Sequence, residues 1–218
     1  MSSQQIIVYG GGGFAREVAW LVQSCTTADI NYDVVCFVDD DPSLHGRLLN
    51  DLPILSLDNA RDRFDSALIV MAVGAPKTRE SMVRKASNSG FQFATVIHPH
   101  VERSKWIEIG TGTVICAGNI LTTNITLGAH VQINLDCTIG HDVVMGDYTT
   151  LAPGVHISGW VHIGRRVYFG TGANVINGTQ DHPLIIADDA VVGAGACVTK
   201  SIAAGMTVVG VPARPLQR

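Results

Sequence analysis

The chain has 218 residues, room for one large domain or two modest ones, and a formal net charge of −4. That charge gives no electrostatic reason to expect nucleic acid or an anionic membrane as a partner. No window supplies the roughly 18 apolar residues of a membrane helix. The apolar Ile6–Val8 run is short and lacks a preceding basic region, so no signal peptide is expected. Five widely spaced cysteines without a CxxC pair predict buried thiols in a cytoplasmic protein, not disulfides or a zinc site.

The first part of the chain alternates strand and helix signals. Ile6–Tyr9 reads as a buried strand ending in Gly10-Gly11-Gly12-Gly13, with a helix expected from Phe14 to Ser24. Val34–Val38 reads as a second strand closed by Asp39-Asp40-Asp41-Pro42, and Ala67–Val73 as a third. A helix over Lys77–Ser89, ended by Gly90, and a fourth strand over Phe93–Ile97 complete a small parallel α/β sheet in residues 1–100. Gly10-Gly11-Gly12-Gly13-Phe14-Ala15 fits the Rossmann-like G-x-G-x-x-A pattern at a strand–helix junction, with Asp39 closing the second strand. Backbone N–H groups in such a loop cradle phosphate at a helix N-terminus. About 100 residues hardly hold the second half that an NAD site uses.

From Ile107 the pattern becomes periodic. Counting in sixes, Ile109, Ile115, Leu121, Leu127, Ile133, Ile139, Met145, Leu151, Ile157, Ile163, Phe169 and Val175 form an unbroken series of large apolar residues. The next position is mostly small or turn-forming, as at Gly110, Gly128, Gly140, Gly146, Gly164 and Gly170, and is expected to let the chain turn a corner. The position four after the large residue is small or β-branched, as at Thr113, Val131, Val143, Thr149, Val155 and Val167. A 3.6-residue period cannot generate this pattern; the hexad is the mark of a parallel β-helix with three hexads to a coil. The register breaks at Asn177–Pro183 and resumes at Ile186, Val192 and Val198, giving about five coils in residues 101–218.

The hexads, with the closing Val209-Gly210-Val211-Pro212-Ala213-Arg214, resemble the hexapeptide-repeat acyltransferases, whose coils wind left-handed. The Gly-rich N-terminal unit narrows the resemblance to sugar acyltransferases of the sialic-acid O-acetyltransferase type. Their relatives include N-acetyltransferases of UDP-4-amino sugars and GDP-perosamine. The resemblance implies a homotrimer that uses acetyl-CoA, without a metal, on a hydroxyl or amino group of a nucleotide-activated or sialic-acid-type sugar. Within Ile139-Gly140-His141-Asp142, it implies His141 as general base with Asp142 beside it and Asn134 in the same site. It also implies that the Gly159 N–H contacts the thioester carbonyl, with Gly11, Gly12, Gly13, Phe14 and Asp39 holding the sugar nucleotide. Phe14 is a departure, because several relatives carry histidine at that place. Gly193, Ala194 and Gly195 leave room for a pantetheine arm, and Arg214 is a candidate for the CoA phosphates.

The repeat itself supports part of this assignment, since His141 and Gly159 are three hexads apart, one full coil. Acetyl transfer needs a base for the attacking hydroxyl or amine and a donor for the oxyanion. Imidazole and a backbone N–H supply them, and Asp142 can fix the ring's tautomer. Cys137 is near in sequence but inward by its hexad position, so a packed thiol is expected there and not a nucleophile. His182, beside Asp181 in the register-breaking loop, is the second candidate histidine, and that loop is expected to cover part of the CoA site or an interface. His130, His156 and His162 lack the spacing of a β-helix zinc enzyme. A non-catalytic trimeric scaffold, a sugar-nucleotide sensor and transfer to a non-sugar acceptor are the competing readings.

Overall fold

The computed structural model describes residues 3–26 and 31–216, which fall into two compact units, Met1–Pro99 and His100–Arg218. In the first unit, β1 (Gln4–Tyr9) is followed by α1 (Gly13–Ser24) and β2 (Tyr32–Val38). A hairpin of β3 (Leu48–Leu49) and β4 (Leu52–Leu55) comes next, then α2 (Leu57–Arg63), β5 (Leu68–Met71), α3 (Pro76–Asn88) and β6 (Gln92–Phe93). The sheet order is β3-β4-β2-β1-β5-β6. All neighbouring pairs in it are parallel except β3 with β4. β1 is central, and every residue of its Ile6–Tyr9 run is fully buried, as the two-sided cover of a parallel strand requires. Helix α1 buries Ala15, Val18, Ala19, Leu21 and Val22, one face at helical spacing.

Three features of this unit depart from the sequence expectation. The sheet is not wholly parallel, because β3 and β4 form an antiparallel edge around Asn50 and Asp51, whose φ angles are 44° and 65°. That pair of left-handed residues is the two-residue turn that matches strand twist, and Leu-Leu-Asn-Asp-Leu is its signal in the sequence. Helix α2 is a second addition; Ser56 caps it by accepting from Asn59 N–H at 3.2 Å. The strand expected over Phe93–Ile97 is two short pieces, Gln92–Phe93 and Val96–Ile97.

The second unit is a triangular parallel β-helix. One face stacks Val114–Ile115, Gln132–Ile133, Thr150–Leu151, Tyr168–Phe169, Val191–Val192 and Thr207–Val209. A second stacks Glu102–Arg103, Ile120–Leu121, Thr138–Ile139, His156–Ile157, Asn174–Val175 and Cys197–Val198. The third stacks Ile107–Ile109, Ile125–Leu127, Val144–Met145, Val161–Ile163 and Leu184–Ile186. Partners are three hexads apart, as in Thr138↔His156, until the Asn177–Pro183 loop. Across that loop the spacing lengthens, as in Asn174↔Cys197 and Tyr168↔Val191, so the loop is an insertion within one coil. Of the large hexad residues from Ile109 to Val175, all but Ile109, in the first coil, are buried.

The corners turn by a device other than the one expected from sequence. Every sixth residue from Gly112 to Gly172 has a φ between 53° and 75°, and most of these are not glycine: Asn124, His130, Asp136, Asp142, Tyr148, Trp160 and Arg166. Each sits two places after the small hexad position. From His130 onward its N–H is pinned to a carbonyl of the preceding coil, as in Asp142 to Thr123 at 3.2 Å and Trp160 to His141 at 3.1 Å. The small position serves a different purpose, close approach between coils. A Cβ on Gly140 would stand 2.6 Å from Gly159 N, and one on Gly146 would stand 2.6 Å from Gly164 C.

Several inward positions are polar, Thr113, Asn119 and Thr149 among them. Asn119 is fully buried, donating from Nδ2 to the Cys116 and Asn134 carbonyls at 2.6 and 2.9 Å, while its Oδ1 accepts from Cys137 N–H at 2.9 Å. It thereby ties two coils together at the corner that carries Asn134. Replacing it by leucine strands the buried Cys137 N–H and takes a donor from two carbonyls, with an expected cost of about 1–3 kcal/mol. A lowered urea midpoint at unchanged m-value would be the readout, and an unchanged midpoint would show that the bracket contributes nothing net.

Candidate active site

His141 and Asp142 lie at the corner between the second and third faces. His141 Nδ1 is 2.8 Å from Asp142 Oδ2, and the two side chains are 53 % and 25 % exposed. Asn124, one coil earlier in the same column, donates from Nδ2 to Asp142 Oδ1 at 3.4 Å. With Nδ1 engaged by the carboxylate, Nε2 is the ring atom left for a substrate proton.

Gly159 stands one coil after His141, as the repeat arithmetic predicts. The place its Cβ would occupy is 2.5 Å from His141 Cε1 and 2.6 Å from Nε2, so only glycine lets the imidazole lie against this backbone. Among the described residues no acceptor takes the Gly159 N–H, which leaves that donor beside Nε2 available to a ligand. The Trp160 indole meets the imidazole edge-on, with centroids 6.1 Å apart. The Asn177–Pro183 loop is inserted in this same column: Gly178 N–H donates to the Gly159 carbonyl at 3.0 Å, and Leu184 N–H to that of Trp160 at 3.0 Å. His182 is in that loop, exposed, with its N–H donating to Thr179.

Other candidates lie elsewhere. Asn134 is at the corner between the first and second faces, half-buried, with Oδ1 accepting from Leu135 N–H at 2.8 Å; one chain does not bring it to His141. Gly193, Ala194 and Gly195 occupy the same corner as Asn134, three coils later, and Ala194 and Gly195 are exposed. Gly195 has φ +65° and open space where a Cβ would point. Arg214 is exposed in the short antiparallel strand that closes the first face, Nη1 donating to the Ala213 carbonyl at 2.8 Å; with Lys200 it lines a shallow 220 Å³ depression. Cys137 is fully buried; burial pushes its thiol up to about 11, and Sγ donates to the Ala152 carbonyl at 3.3 Å, which fits a packed thiol. Among the described residues no group of three or more His, Cys, Asp or Glu is arranged to hold a metal ion.

In the first unit, Gly11, Gly12, Gly13, Phe14 and Asp39 all line one pocket of about 400 Å³, with Asp40, Ala72, Val73 and Gly74. These residues follow the C-terminal ends of β1, β2 and β5, so the pocket opens where the strand order switches direction about β1. Gly10 has φ +140°, and a Cβ there would be 2.8 Å from the Ala72 carbonyl oxygen. Asp39 Oδ1 accepts from Asp41 N–H at 2.8 Å. Beside it, the buried Tyr9 hydroxyl donates to Asp40 Oδ1 at 2.7 Å and Lys85 shares that oxygen. Burial raises the Asp40 carboxyl, but the hydrogen bonds from Lys85 and Tyr9 outweigh it and hold the group below the usual carboxylate range. Sequence reasoning missed Asp40 and the Val73–Gly74 wall, although both directly follow strand ends.

Residues 5–86 match the PglD N-terminal domain family. Over 97 % of this chain and 96 % of the relative, the sequence is 32 % identical to GDP-perosamine N-acetyltransferase of Escherichia coli O157:H7. The chain belongs to the hexapeptide-repeat sugar acetyltransferases. WeeI from Acinetobacter baumannii AYE is 39 % identical in sequence and superposes with a TM-score of 0.89, covering 98 % of this chain and all of its own. PerB from Caulobacter crescentus, solved in complex with CoA and GDP-perosamine, is 26 % identical with a TM-score of 0.85 over 99 % of both chains. The second unit is accordingly a left-handed β-helix, and the protein an acetyl-CoA-dependent sugar acetyltransferase. No helix among the described residues is long and apolar enough to cross a membrane.

Proposed function

We propose that this acetyltransferase acts on the amino group of a nucleotide-linked amino sugar in the cytoplasm, with His141 as general base. The single observation carrying the reading is the stacked triplet of Asp142, His141 and Gly159, which sets an oriented imidazole nitrogen beside an available backbone N–H. The amine attacks the thioester carbon, His141 Nε2 takes its proton, and the Gly159 N–H stabilises the oxyanion. Collapse expels the CoA thiolate, which recovers the proton from the imidazolium. Asp142 holds Nδ1 throughout and stabilises the imidazolium. The 400 Å³ pocket of the first unit, with its glycine loop at the start of α1, holds the nucleotide diphosphate.

The functional form is a homotrimer. His141 with Gly159 and Asn134 with Gly193–Gly195 lie on different corners of one prism, so a site using both sets takes one corner from each of two copies. Cyclic symmetry then makes three equal sites. Incubation with acetyl-CoA and a panel of GDP- and UDP-linked 4-amino sugars, beside free sialic acids, should release CoA only with an amino-sugar nucleotide. Sedimentation should return three times the 23.2 kDa chain mass. Release with sialic acid alone would replace the amine by a hydroxyl, and a monomer with full activity would refute the shared site.

A further inference from the structure

Asn124, Asp142 and Trp160 take the same left-handed backbone on successive coils of the His141 corner, with φ angles of 53°, 57° and 56°. Asparagine and aspartate tolerate that state, whereas a bulky aromatic residue is an uncommon occupant of it. At the corner between the third and first faces, left-handed aromatic residues pack on one another, His130 on Tyr148 with rings 6° from parallel. The aromatic partner of Trp160 lies outside the left-handed series. It is His141, met edge-on with centroids 6.1 Å apart and planes at 82°. The Trp160 N–H donates to the carbonyl of that same histidine at 3.1 Å, and the indole-bearing residue is half-buried while the His141 side chain is 53 % exposed.

We infer that Trp160 is a positioning residue for acetyl transfer, its indole holding the His141 imidazole in the plane that sets Nε2 beside the Gly159 N–H. The inference rests on His141 as the general base and adds what keeps that base in place. The hydrogen bond to Asp142 fixes Nδ1, yet a ring tethered at one atom still tilts about it. Gly159 bounds the ring on one side, and the exposure of the side chain leaves room for the tilt on the other. An edge-to-face contact with the indole is favourable in itself and supplies the second restraint. The backbone bond from Trp160 to His141 seats that restraint on the residue it steadies. Proton transfer needs Nε2 within hydrogen-bond reach of the attacking amine, and a misplacement of about 1 Å costs up to about a hundredfold in rate. The turn alone does not call for an indole, because Asn124 makes the same turn two coils earlier.

The test is a double-mutant cycle read by CoA release from acetyl-CoA with GDP-perosamine as acceptor. Trp160→Asn, which keeps a residue suited to the left-handed turn, should lower kcat about tenfold and leave the KM for acetyl-CoA within about twofold. Trp160→Phe should restore most of that loss, since a phenyl ring also offers an edge-to-face partner. On a His141→Ala background, Trp160→Asn should change kcat by less than about twofold, because its effect runs through the imidazole. A tenfold loss on both backgrounds would mark Trp160 as structural and overturn the inference, as would a Trp160→Asn enzyme within twofold of wild-type kcat. An acceptor-free arm follows the His141 Cε1–H resonance by NMR, identified by its loss in His141→Ala. That resonance should move when the indole's ring current is removed in Trp160→Asn; one that stays in place overturns the contact itself. A His141→Ala enzyme of near wild-type kcat overturns the general-base reading, and a moved resonance then shows that the contact stands while that reading has failed.

Discussion

His141→Ala should lower kcat about a hundred- to ten-thousand-fold while leaving the KM for acetyl-CoA and the unfolding midpoint close to wild type. The expectation of an intact fold comes from where the ring sits. Its side chain is about half exposed, and its structural contribution runs through the backbone: the His141 carbonyl accepts from Trp160 N–H, a bond that alanine preserves. The expectation of a large catalytic loss comes from the absence of a substitute. His182, the other histidine in this column, lies in the inserted loop beyond Gly159 and, among the described residues, is not hydrogen-bonded to a carboxylate. Asp142→Asn should give a smaller loss in the same direction, because the amide still reaches Nδ1 but no longer stabilises the imidazolium. A His141→Ala enzyme retaining more than a tenth of wild-type kcat would remove the histidine from its role and leave Gly159 and substrate positioning as the whole of catalysis.

The inward face of the prism was readable because one large side chain must fill it at every sixth residue, whatever else varies. The corners were not, because the left-handed residues share a backbone state and no chemistry: Asn124, His130, Asp142, Tyr148 and Arg166 have nothing in common as side chains. The glycines drew attention as turn-makers and proved to be spacers, since a coil lying about 4.8 Å below another leaves no room for a Cβ at that position. The site divides in the same way. The step from His141 to Gly159 falls inside the regular stretch, so counting three hexads sufficed to place them together. The step from Asn134 to Gly193 crosses the insertion, and it becomes a whole number of coils only when the extra length of the inserted loop is known. Asn134 and His141, seven residues apart and both ahead of the insertion, fall on neighbouring corners of one chain, and only the family resemblance joins them. In the first unit, strands with fully buried runs announced themselves, whereas the β3–β4 hairpin hid behind short, half-exposed strands with a proline among them.

Two glycine-to-alanine substitutions should separate the two uses of close approach in this fold. In Gly146→Ala, the new methyl meets Gly164 C at 2.6 Å and Arg165 N at 2.8 Å, both backbone atoms of the next coil. Neither can move without parting the parallel ladder between Val144–Met145 and Val161–Ile163, so the variant should lose about 1–3 kcal/mol of stability. Its kcat, measured below the new unfolding midpoint, should stay near wild type, since Gly146 is at a different corner from the His141 column. In Gly159→Ala, the methyl meets only the edge of an exposed imidazole, 2.5 Å from Cε1 and 2.6 Å from Nε2. That ring can swing into solvent, so stability should fall by less than about 1 kcal/mol. Swinging the ring, however, takes Nε2 away from the N–H that receives the oxyanion and places a methyl where the thioester must lie. The expected result is a kcat loss of about a hundredfold or more, comparable to removing an oxyanion donor. The comparison is decisive through its crossed pattern, one variant unstable and active, the other stable and inactive. Urea denaturation and CoA-release kinetics on both proteins would show it. A Gly159→Ala enzyme of near wild-type kcat would mean that the imidazole and this backbone are neighbours without being partners in the reaction.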